Sequence, residues 1–264
     1  MKLKISVALF AALIFTLGLM SFVKGQQGFS AHPRAIPHGT GKGSVYVIGT
    51  NSVPGGFGIY KFNGMGWDPM PGGATEITVD SAGNPWVVNA NHEIFRWAGS
   101  TWAKAPGSAM DIAAGGNQVF VIGTNSVPGG FGIYRWTPSA IWEKLLGGGV
   151  RIAVDSSGNP WVVNSANEIF RKVNGVWQKL PGAALDIGAG GNEVWVIGTN
   201  SVPGGYGIYR FFRGGWQNRP GGAVRIDIDA TGTPWVVNSE NKIFKWTGND
   251  WQMLPGAARD IGAE

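Results

Sequence analysis

The chain has 264 residues, including 44 Gly and 13 Trp, and only 14% of its residues are charged. Glycine is far above its usual share of about 7% and charge is well below the usual quarter. This composition is typical of many short strands joined by tight turns and disfavours a helical protein. Because cysteine is absent, a disulfide framework is excluded.

The N-terminus has the pattern of an export signal. Lys2 and Lys4 precede an apolar run from Ile5 to Met20, and small residues follow near Gly25. The pattern predicts a signal peptide over residues 1–25 and hence a secreted, extracellular protein with no membrane insertion after cleavage. An uncleaved signal anchor is the alternative, because the run is only slightly short for a membrane span.

Signal cleavage would also change the charge balance. Three lysines leave with the signal peptide, so 18 Lys+Arg remain against 16 Asp+Glu, a net charge of +2 instead of +5. Nucleic-acid binding then loses its electrostatic support. Residues 26–43 follow, with two prolines and no hydrophobic periodicity, and are interpreted as a linker or N-terminal arm.

The rest of the chain is repetitive. The stretch Ile48–Tyr60, IGTNSVPGGFGIY, returns at Ile122–Tyr134 and Ile197–Tyr209 with twelve of thirteen positions identical in all three copies. A second kind of unit, marked by Pro-Trp-Val-Val-Asn, alternates with the first at 85–89, 160–164 and 234–238. Residues 44–264 therefore hold six units of about 37 residues, or three tandem double repeats of about 75 residues.

Each unit contains four short β-rich runs separated by Gly, Pro and Asn. In the fourth unit the runs are 151–154, 161–163, 168–171 and 176–180. This predicts an all-β fold, a six-bladed β-propeller of four-stranded blades over residues 44–264. The last residues, 259–264, match the innermost run of the fifth unit, and the first unit lacks such a run. We expect this C-terminal strand to join the first blade and close a monomeric ring, so that no sheet edge is left unpaired there.

Several short motifs resemble tectonin repeats. They are Trp161-Val-Val-Asn164, Ile169-Phe-Arg171, Trp177-Gln-Lys-Leu-Pro-Gly182 and Asp186-Ile187, and equivalent motifs recur in phase over Ser44–Glu264. The resemblance implies the fold of a six-bladed propeller and the function of a lectin that binds lipopolysaccharide or methylated glycans on cell surfaces. Relatives of this type also serve as interaction domains inside intracellular proteins. It implies a ring of repeated ligand sites without catalysis. The longer hairpin in alternate units favours three sites over six.

The long hairpin supplies the candidate ligand-binding residues. Amides and hydroxyls can donate and accept hydrogen bonds to sugar hydroxyls, and an aromatic ring can stack on the C–H face of a sugar. The predicted site residues are Asn51, Ser52, Phe57, Asn125, Ser126, Phe131, Asn200, Ser201 and Tyr206. A purely structural interpretation is equally open, because Val-Pro-Gly-Gly is a good turn sequence and the aromatic rings could fill the blade.

Other patterns are interpreted as structural. The Trp residues that start the outer runs and those of the Pro-Trp-Val-Val runs are expected to pack between strands. The inner runs place opposite charges in turn around the ring, at Asp260, Glu76, Asp111, Arg151, Asp186 and Arg225, which suggests an ion-pair belt that Glu76 interrupts. Three Asp–Gly turns, at 80–84, 155–159 and 229–233, are too short for calcium loops and are typical of hairpins. No metal or cofactor is expected.

The sequence thus predicts a secreted carbohydrate-binding protein that recognises cell-surface glycans through repeated sites on one propeller face. No recurring nucleophile–base set supports an enzyme. A propeller that binds a protein partner without sugar is the alternative, since the same loops could present a flat surface.

Overall fold

A computed structural model describes residues 43–264. The predicted signal peptide over 1–25 and nearly all of the predicted arm over 26–43 lie outside the described residues. The regular structure within 43–264 consists of β-strands, which confirms the all-β prediction. This region contains no helix with the length and apolar character needed to cross a membrane.

The strands follow one another in up-and-down order. Those of the first three units are β1 (Val45–Val53), β2 (Gly56–Phe62), β3 (Trp67–Ala74), β4 (Glu76–Val79), β5 (Pro85–Val88), β6 (Glu93–Trp97), β7 (Trp102–Gly115), β8 (Gln118–Val127), β9 (Gly130–Trp136) and β10 (Trp142–Gly149). Those of the last three are β11 (Arg151–Val154), β12 (Pro160–Val163), β13 (Glu168–Val173), β14 (Val176–Gly190), β15 (Glu193–Val202), β16 (Gly205–Phe212), β17 (Gly215–Ala223), β18 (Arg225–Ile228), β19 (Pro234–Val237), β20 (Ile243–Trp246) and β21 (Trp251–Leu254). The C-terminal strand is β22 (Ala258–Ala263).

Hydrogen bonding joins the strands into four antiparallel sheets instead of six separate ones. Two sheets have four strands and two have seven. The seven-stranded sheets arise because β7 and β14 run without a break from one unit into the next. The first half of β7 pairs with β6 and its second half pairs with β8, and β14 pairs in the same way with β13 and β15.

The C-terminal strand pairs with the first strand, as the sequence predicted. In this pairing Ala263 lies opposite Val45 and Asp260 lies opposite Ile48. Side-chain bonds tie β22 to both neighbouring units: Asp260 Oδ2 accepts from Ile77 N at 2.9 Å, and Ala263 N donates to Asp227 Oδ2 at 2.8 Å. The two ends of the repeat array are therefore bonded to each other.

The core lies between neighbouring sheets. The strands β5, β12 and β19 are buried along their whole length, because sheets pack on both of their faces. Trp86 is 2% exposed and packs with Val119 and Val121 of the next unit. The expected packing role of the Pro-Trp-Val-Val tryptophans is thereby confirmed.

The carboxylates of the Asp–Gly turns accept hydrogen bonds from within their own hairpins. Asp80 Oδ1 accepts from the backbone N–H groups of Ala82 and Asn84, both at 3.0 Å, and Oδ2 accepts from the Trp86 indole at 3.1 Å. Asp155 and Asp229 make the same set of bonds. These turns fix the buried tryptophan of the following strand.

The six tryptophans that start the outer strands are half-buried, and each bridges to the preceding unit. Each indole N–H donates at 2.7 Å to a backbone carbonyl oxygen of the preceding unit, in the pairs Trp67–Pro255, Trp102–Pro71, Trp142–Pro106, Trp177–Leu146, Trp216–Pro181 and Trp251–Pro220. The glycine after each acceptor has a positive φ and faces the indole. The same bond thus recurs at all six junctions, including the junction of the two chain ends.

Candidate functional site

The turn of each long hairpin is shaped by backbone requirements. Gly55 and Gly56 have φ values of +87° and +136°, where L side chains are strained. A Cβ at Gly56 would lie 2.6 Å from the carbonyl oxygen of Ala74. The Gly55 carbonyl accepts a hydrogen bond from Ala90 N of the next unit at 2.9 Å, and Gly129 and Gly204 accept the same bond from Ser165 and Ser239. Backbone structure therefore explains the repeated Gly-Gly pair.

The polar residues that precede the turn lie at the molecular surface. Thr50, Asn51 and Ser52 are all exposed. The Tyr60 hydroxyl donates to Asn51 Oδ1 at 2.9 Å, and the same bond, at the same length, joins Tyr134 to Asn125 and Tyr209 to Asn200. The Asn51 amide lies over Gly58, where a Cβ would come within 2.7 Å of its Nδ2. Each asparagine is thus an exposed amide held in one orientation by its own hairpin.

In the third unit this amide lies in a pocket of about 300 Å³. Thr124, Asn125 and Tyr134 line it together with Trp142, and the preceding unit contributes Ser108 among others. The pocket therefore combines hydroxyl, amide and aromatic groups from two neighbouring units. We call it the polar pocket.

The first and fifth units carry the same groups in the same sequence positions. The equivalents of Thr124, Asn125, Tyr134 and Trp142 are Thr50, Asn51, Tyr60 and Trp67, and Thr199, Asn200, Tyr209 and Trp216. The Tyr–Asn and Trp–carbonyl bonds have equal lengths in all three copies. The one polar difference is Ser108, which is replaced by Ala257 and Ala183.

The structure separates the predicted site residues into two groups. Each asparagine is bonded to a tyrosine, and Asn125 also shares the polar pocket with Trp142. By contrast, Ser52 lies opposite Phe57 in the strand ladder, and the ladder repeats this pairing for Ser126 with Phe131 and for Ser201 with Tyr206. Phe57 is half-buried and packs against the core between the first two units, and Phe131 and Tyr206 pack in the same way. The Arg259 guanidinium lies 4.0 Å above the Phe57 ring.

Sequence reasoning missed the tyrosine and assigned the tryptophan to packing alone. A signal for the tyrosine was present, because units with the long hairpin read Ile-Tyr at 59–60, 133–134 and 208–209, while the other units read Ile-Phe. Only the long-hairpin units need a hydroxyl at this position to hold an asparagine.

A second kind of pocket flanks the hairpins and is mainly apolar. Beside the first hairpin, a cavity of about 200 Å³ is lined by Pro54, Ile59, Val87, Phe95 and Trp102, among others. Beside the second hairpin, a cavity of about 230 Å³ is lined by the equivalent residues of the third and fourth units. We call these the apolar pockets. Polar and apolar pockets thus draw on residues of the same long hairpins.

Comparison with protein families identifies the first part of this array. A model of the tectonin domain matches residues 39–137. Over these residues the chain is similar to that family. The match includes the first two long hairpins, with Asn51 and Asn125, so the resemblance seen in the sequence is confirmed over this stretch. No curated protein matches the chain.

Solved structures that match this chain have low sequence identity to it. YCF48 bound to a D1 peptide is 16% identical, with a TM-score of 0.49, and the match covers 79% of this chain and 77% of that one. A Bacteroides uniformis protein described as a candidate 6-phosphogluconolactonase is 12% identical, with a TM-score of 0.48 and 80% of each chain covered. A Lactobacillus plantarum protein is 12% identical, with a TM-score of 0.47 and 82% of each chain covered. At these values none of them bears on what this chain binds.

The inner strands of the repeat array form the expected ion-pair belt at two of three positions. Arg151 Nε lies 3.7 Å from Asp186 Oδ1, and Arg225 Nε lies 3.6 Å from Asp260 Oδ1. Glu76 occupies the third arginine position. The second carboxylate oxygen of each aspartate accepts a backbone N–H from the next inner strand at 2.8–2.9 Å, in the pairs Asp260–Ile77, Asp111–Ile152 and Asp186–Ile226.

Burial and neighbouring carboxylates raise the pKa values of acidic side chains in this belt. Burial, followed by the charges of Asp260 and Asp111, raises the pKa of Glu76 well above its ordinary value. Burial is also the main cause that raises the pKa of Asp111 to about 6 and that of Asp260 to about 7. The cavity among these groups has a volume of about 30 Å³, room for a water molecule or two. Among residues 43–264, no three His, Cys, Asp or Glu side chains are grouped to hold a metal ion.

Proposed function

We propose that residues 44–264 form a six-bladed β-propeller in which each unit is one blade. The strand pairings support this arrangement, because they fall into six successive sets of four when β7 and β14 are each divided between two sets. The bonds of β22 to β1 and to both neighbouring units support closure of the ring within one monomer.

We further propose that the protein is an extracellular lectin with three equivalent glycan sites in the polar pockets. The observation that carries the proposal is the exposed asparagine fixed by a tyrosine at 2.9 Å in all three copies. A fixed amide can donate and accept hydrogen bonds with vicinal sugar hydroxyls, and the half-buried tryptophan offers an aromatic face for sugar C–H groups. The proposed role is binding without catalysis.

The apolar pockets suggest which glycans would fit best. A substituent such as an O-methyl group would gain from burial against Phe95 and Trp102, at about 0.8 kcal/mol for each carbon removed from water. The tectonin resemblance implies methylated glycans among the ligands of the family. We therefore propose surface glycans, including lipopolysaccharide and methylated sugars, as the partners.

Three sites on one molecule would act together. Single sugar contacts are weak, and a second site engaged on the same surface raises avidity by about 10²–10⁴. The lectin is therefore expected to prefer dense glycan surfaces over free oligosaccharides.

The first experiment is a glycan array probed with the purified protein, followed by a triple variant. Replacing Asn51, Asn125 and Asn200 by Ala should abolish retention on the best array glycan, because each polar pocket loses its amide. The melting temperature should stay unchanged, since the three amides are exposed.

A matched control variant also loses three side-chain amides, but at positions outside the polar pockets. Gln178, Gln217 and Gln252 are exposed on outer strands, each directly after the half-buried tryptophan. Their triple replacement by Ala should leave glycan retention intact. Full retention by the asparagine variant would remove the polar pockets from the site.

A protein-binding propeller is the alternative function. It draws support from half-buried apolar side chains near the inner strands, including Met110, Phe131 and Leu185. Free saccharide at high concentration distinguishes the two functions, because it would displace the protein from a glycan and would leave a protein partner bound.

A further inference from the structure

One buried amide beside the third long hairpin has no acceptor for its N–H groups. Asn238 follows strand β19 and is 7% exposed. Its Oδ1 accepts from the backbone N–H groups of Glu240 and Lys242 at 3.0 and 2.8 Å, which fixes the orientation of the amide. Within residues 43–264, no acceptor lies within hydrogen-bond distance of its Nδ2. Leaving such a donor unsatisfied costs free energy, so a ligand that accepts from it would be stabilised.

The equivalent amides of the second and fourth units are already bonded. In both units Nδ2 donates at 2.8 Å to a glutamate four residues later, and a lysine of the neighbouring outer strand pairs with that glutamate. The sets are Asn89, Glu93 and Lys104, and Asn164, Glu168 and Lys179. In the sixth unit Lys242 replaces the glutamate and Met253 replaces the lysine. Both members of the ion pair are therefore missing together, and the amide donor is left over.

The free donor lies among the equivalents of the residues that line the apolar pockets. A Cβ at Gly204 would lie 3.8 Å from Asn238 Nδ2, and Gly204 has the same φ, +87°, as its equivalents in the other two hairpins. Phe244 and Trp251 are half-buried and pack on the core cluster that contains Ile208. We call the group Gly204, Ile208, Asn238, Phe244 and Trp251 the third-hairpin site.

Charge at the rim of this site favours a neutral ligand. Lys242 Nζ lies 2.6 Å from Glu240 Oε2, so the cation that replaces the glutamate is already balanced. What remains is an uncharged N–H donor beside aromatic side chains. An acetamido group matches both features, because its carbonyl oxygen accepts a hydrogen bond and its methyl group gains from burial against Phe244 and Trp251. A carboxylate would add a charge for which no cation is left.

We infer that the third-hairpin site binds the acetamido group of an N-acetylated sugar. Asn238 Nδ2 donates to the acetyl carbonyl, and the methyl group packs on Phe244 and Trp251. The two apolar pockets, in which the asparagine already donates to a glutamate, suit O-methyl groups instead. The inference rests on the lectin proposal for the class of ligand. It goes beyond that proposal by adding a single site that differs from the three polar pockets and recognises a different substituent.

The indole signal of Trp251 in a proton–nitrogen correlation NMR spectrum reports on this site. It is assigned with Trp251→Phe, and the equivalent signals of Trp102 and Trp177 are assigned in the same way. The purified protein is titrated with the methyl glycoside of N-acetylglucosamine. We expect a saturable shift of the Trp251 signal and none of the other two. The methyl glycosides of glucose, which lacks the acetamido group, and of glucuronic acid, which carries a carboxylate, should shift none of the three.

Two variants remove the donor in different ways. Asn238→Asp keeps the oxygen that accepts from the turn and removes the N–H groups, so the affinity should fall by about tenfold or more. Lys242→Glu combined with Met253→Lys keeps Asn238 and rebuilds the ion pair of the other copies. The new carboxylate then takes up the amide, and the shift of the Trp251 signal should disappear even if Asn238→Asp does not fold.

The reverse exchange should create a second site. Ala166→Glu, Glu168→Lys and Lys179→Met together give the fourth unit the residues of the sixth, which frees Asn164 and should add a saturable shift of the Trp177 signal. This gain cannot arise from loss of stability.

Three results would overturn the inference: no shift of Trp251 with the acetylated glycoside, an equal shift with either control glycoside, or a shift that persists in both loss-of-donor variants. The lectin proposal is tested separately. The triple alanine variant at Asn51, Asn125 and Asn200 should keep the Trp251 shift, while the Lys242→Glu, Met253→Lys chain should keep its retention through the polar pockets. The failure of one proposal is therefore distinguishable from the failure of the other.

Discussion

Glu76 shows how one residue can oppose a repeated pattern. At the two equivalent positions, Arg151 and Arg225 pair with the aspartate of an adjacent inner strand. Glu76 places a third carboxyl group between Asp111 and Asp260 instead, and the nearest compensating charges are the same two arginines. The belt therefore contains a local excess of negative charge that the fold must tolerate.

This excess predicts an unusual dependence of stability on pH. The folded-state pKa values of Glu76, Asp111 and Asp260 are raised, the last two to about 6 and about 7. Between their ordinary values near 4 and these raised values, the folded state binds more protons than the unfolded state, so its stability falls as pH rises. We expect a higher melting temperature at pH 5 than at pH 8, measured by calorimetry in the same ionic strength.

Substitution at residue 76 tests the cause. Glu76→Gln should raise the melting temperature at pH 8 and reduce its dependence on pH, because a neutral amide removes the repulsion. In a domain of this size each 1 kcal/mol corresponds to about 2–4 °C. Glu76→Arg, which restores the pattern of the other two copies, should stabilise at least as much. If Glu76→Gln melts below the parent at pH 8, the carboxylate is not a source of repulsion.

In each long hairpin the turn has a structural role, whereas the strand before it carries the candidate binding residue. Its turn is fixed by Gly55 and Gly56 and by the bond from Ala90, and its polar strand holds Asn51 against Tyr60. A displaced turn would therefore change both the shape of the apolar pocket and the orientation of the Asn51 amide.

Gly56→Ala should destabilise the protein by roughly 1–3 kcal/mol. The backbone at φ +136° is strained for alanine, and the new Cβ would lie 2.6 Å from the Ala74 carbonyl. Gly66→Ala is the matched control, because nothing lies within 4 Å of a Cβ there. Denaturant unfolding of the two variants gives the comparison, and equal midpoints would show that the turn adapts without cost.

Local sequence was sufficient to predict much of this element. Alternating apolar residues and Gly, Pro and Asn punctuation located the strands because these signals act within one unit. The polar pocket was harder to predict, since it depends on Ser108 and Trp142 from different units, and spacing in one repeat does not report contacts with the next. The continuity of β7 and β14 was not predicted either, because Pro-Gly usually ends a strand.

For the whole molecule, the six equivalent Trp–carbonyl bonds indicate that the junction of the chain ends is built like the other five. Trp67 reaches Pro255 with the same 2.7 Å bond that joins Trp102 to Pro71. The inference from sequence that the C-terminal strand completes the first unit was possible because the repeat made the missing run visible.

Removing residues 259–264 should therefore weaken the entire array. Truncation removes most of β22, whose Ile261 is 3% exposed, and it leaves the backbone N–H of Ile77 without its carboxylate partner. It also uncovers β1, whose first five residues are buried. Since each unit packs on two neighbours, we expect one cooperative transition at a melting temperature lower by well over 10 °C, at about 2–4 °C for each kcal/mol lost.

Two comparisons make this expectation specific to closure. Deleting Glu264 alone leaves all of β22 in place and should change the melting temperature little. Trp67→Phe and Trp102→Phe each remove one indole bond, the first across the chain ends and the second between consecutive units. Equal losses of stability are expected if the ends are joined as firmly as the other junctions. A loss seen for Trp102 alone, together with unchanged melting of the truncated chain, would mean that the ring is open in solution.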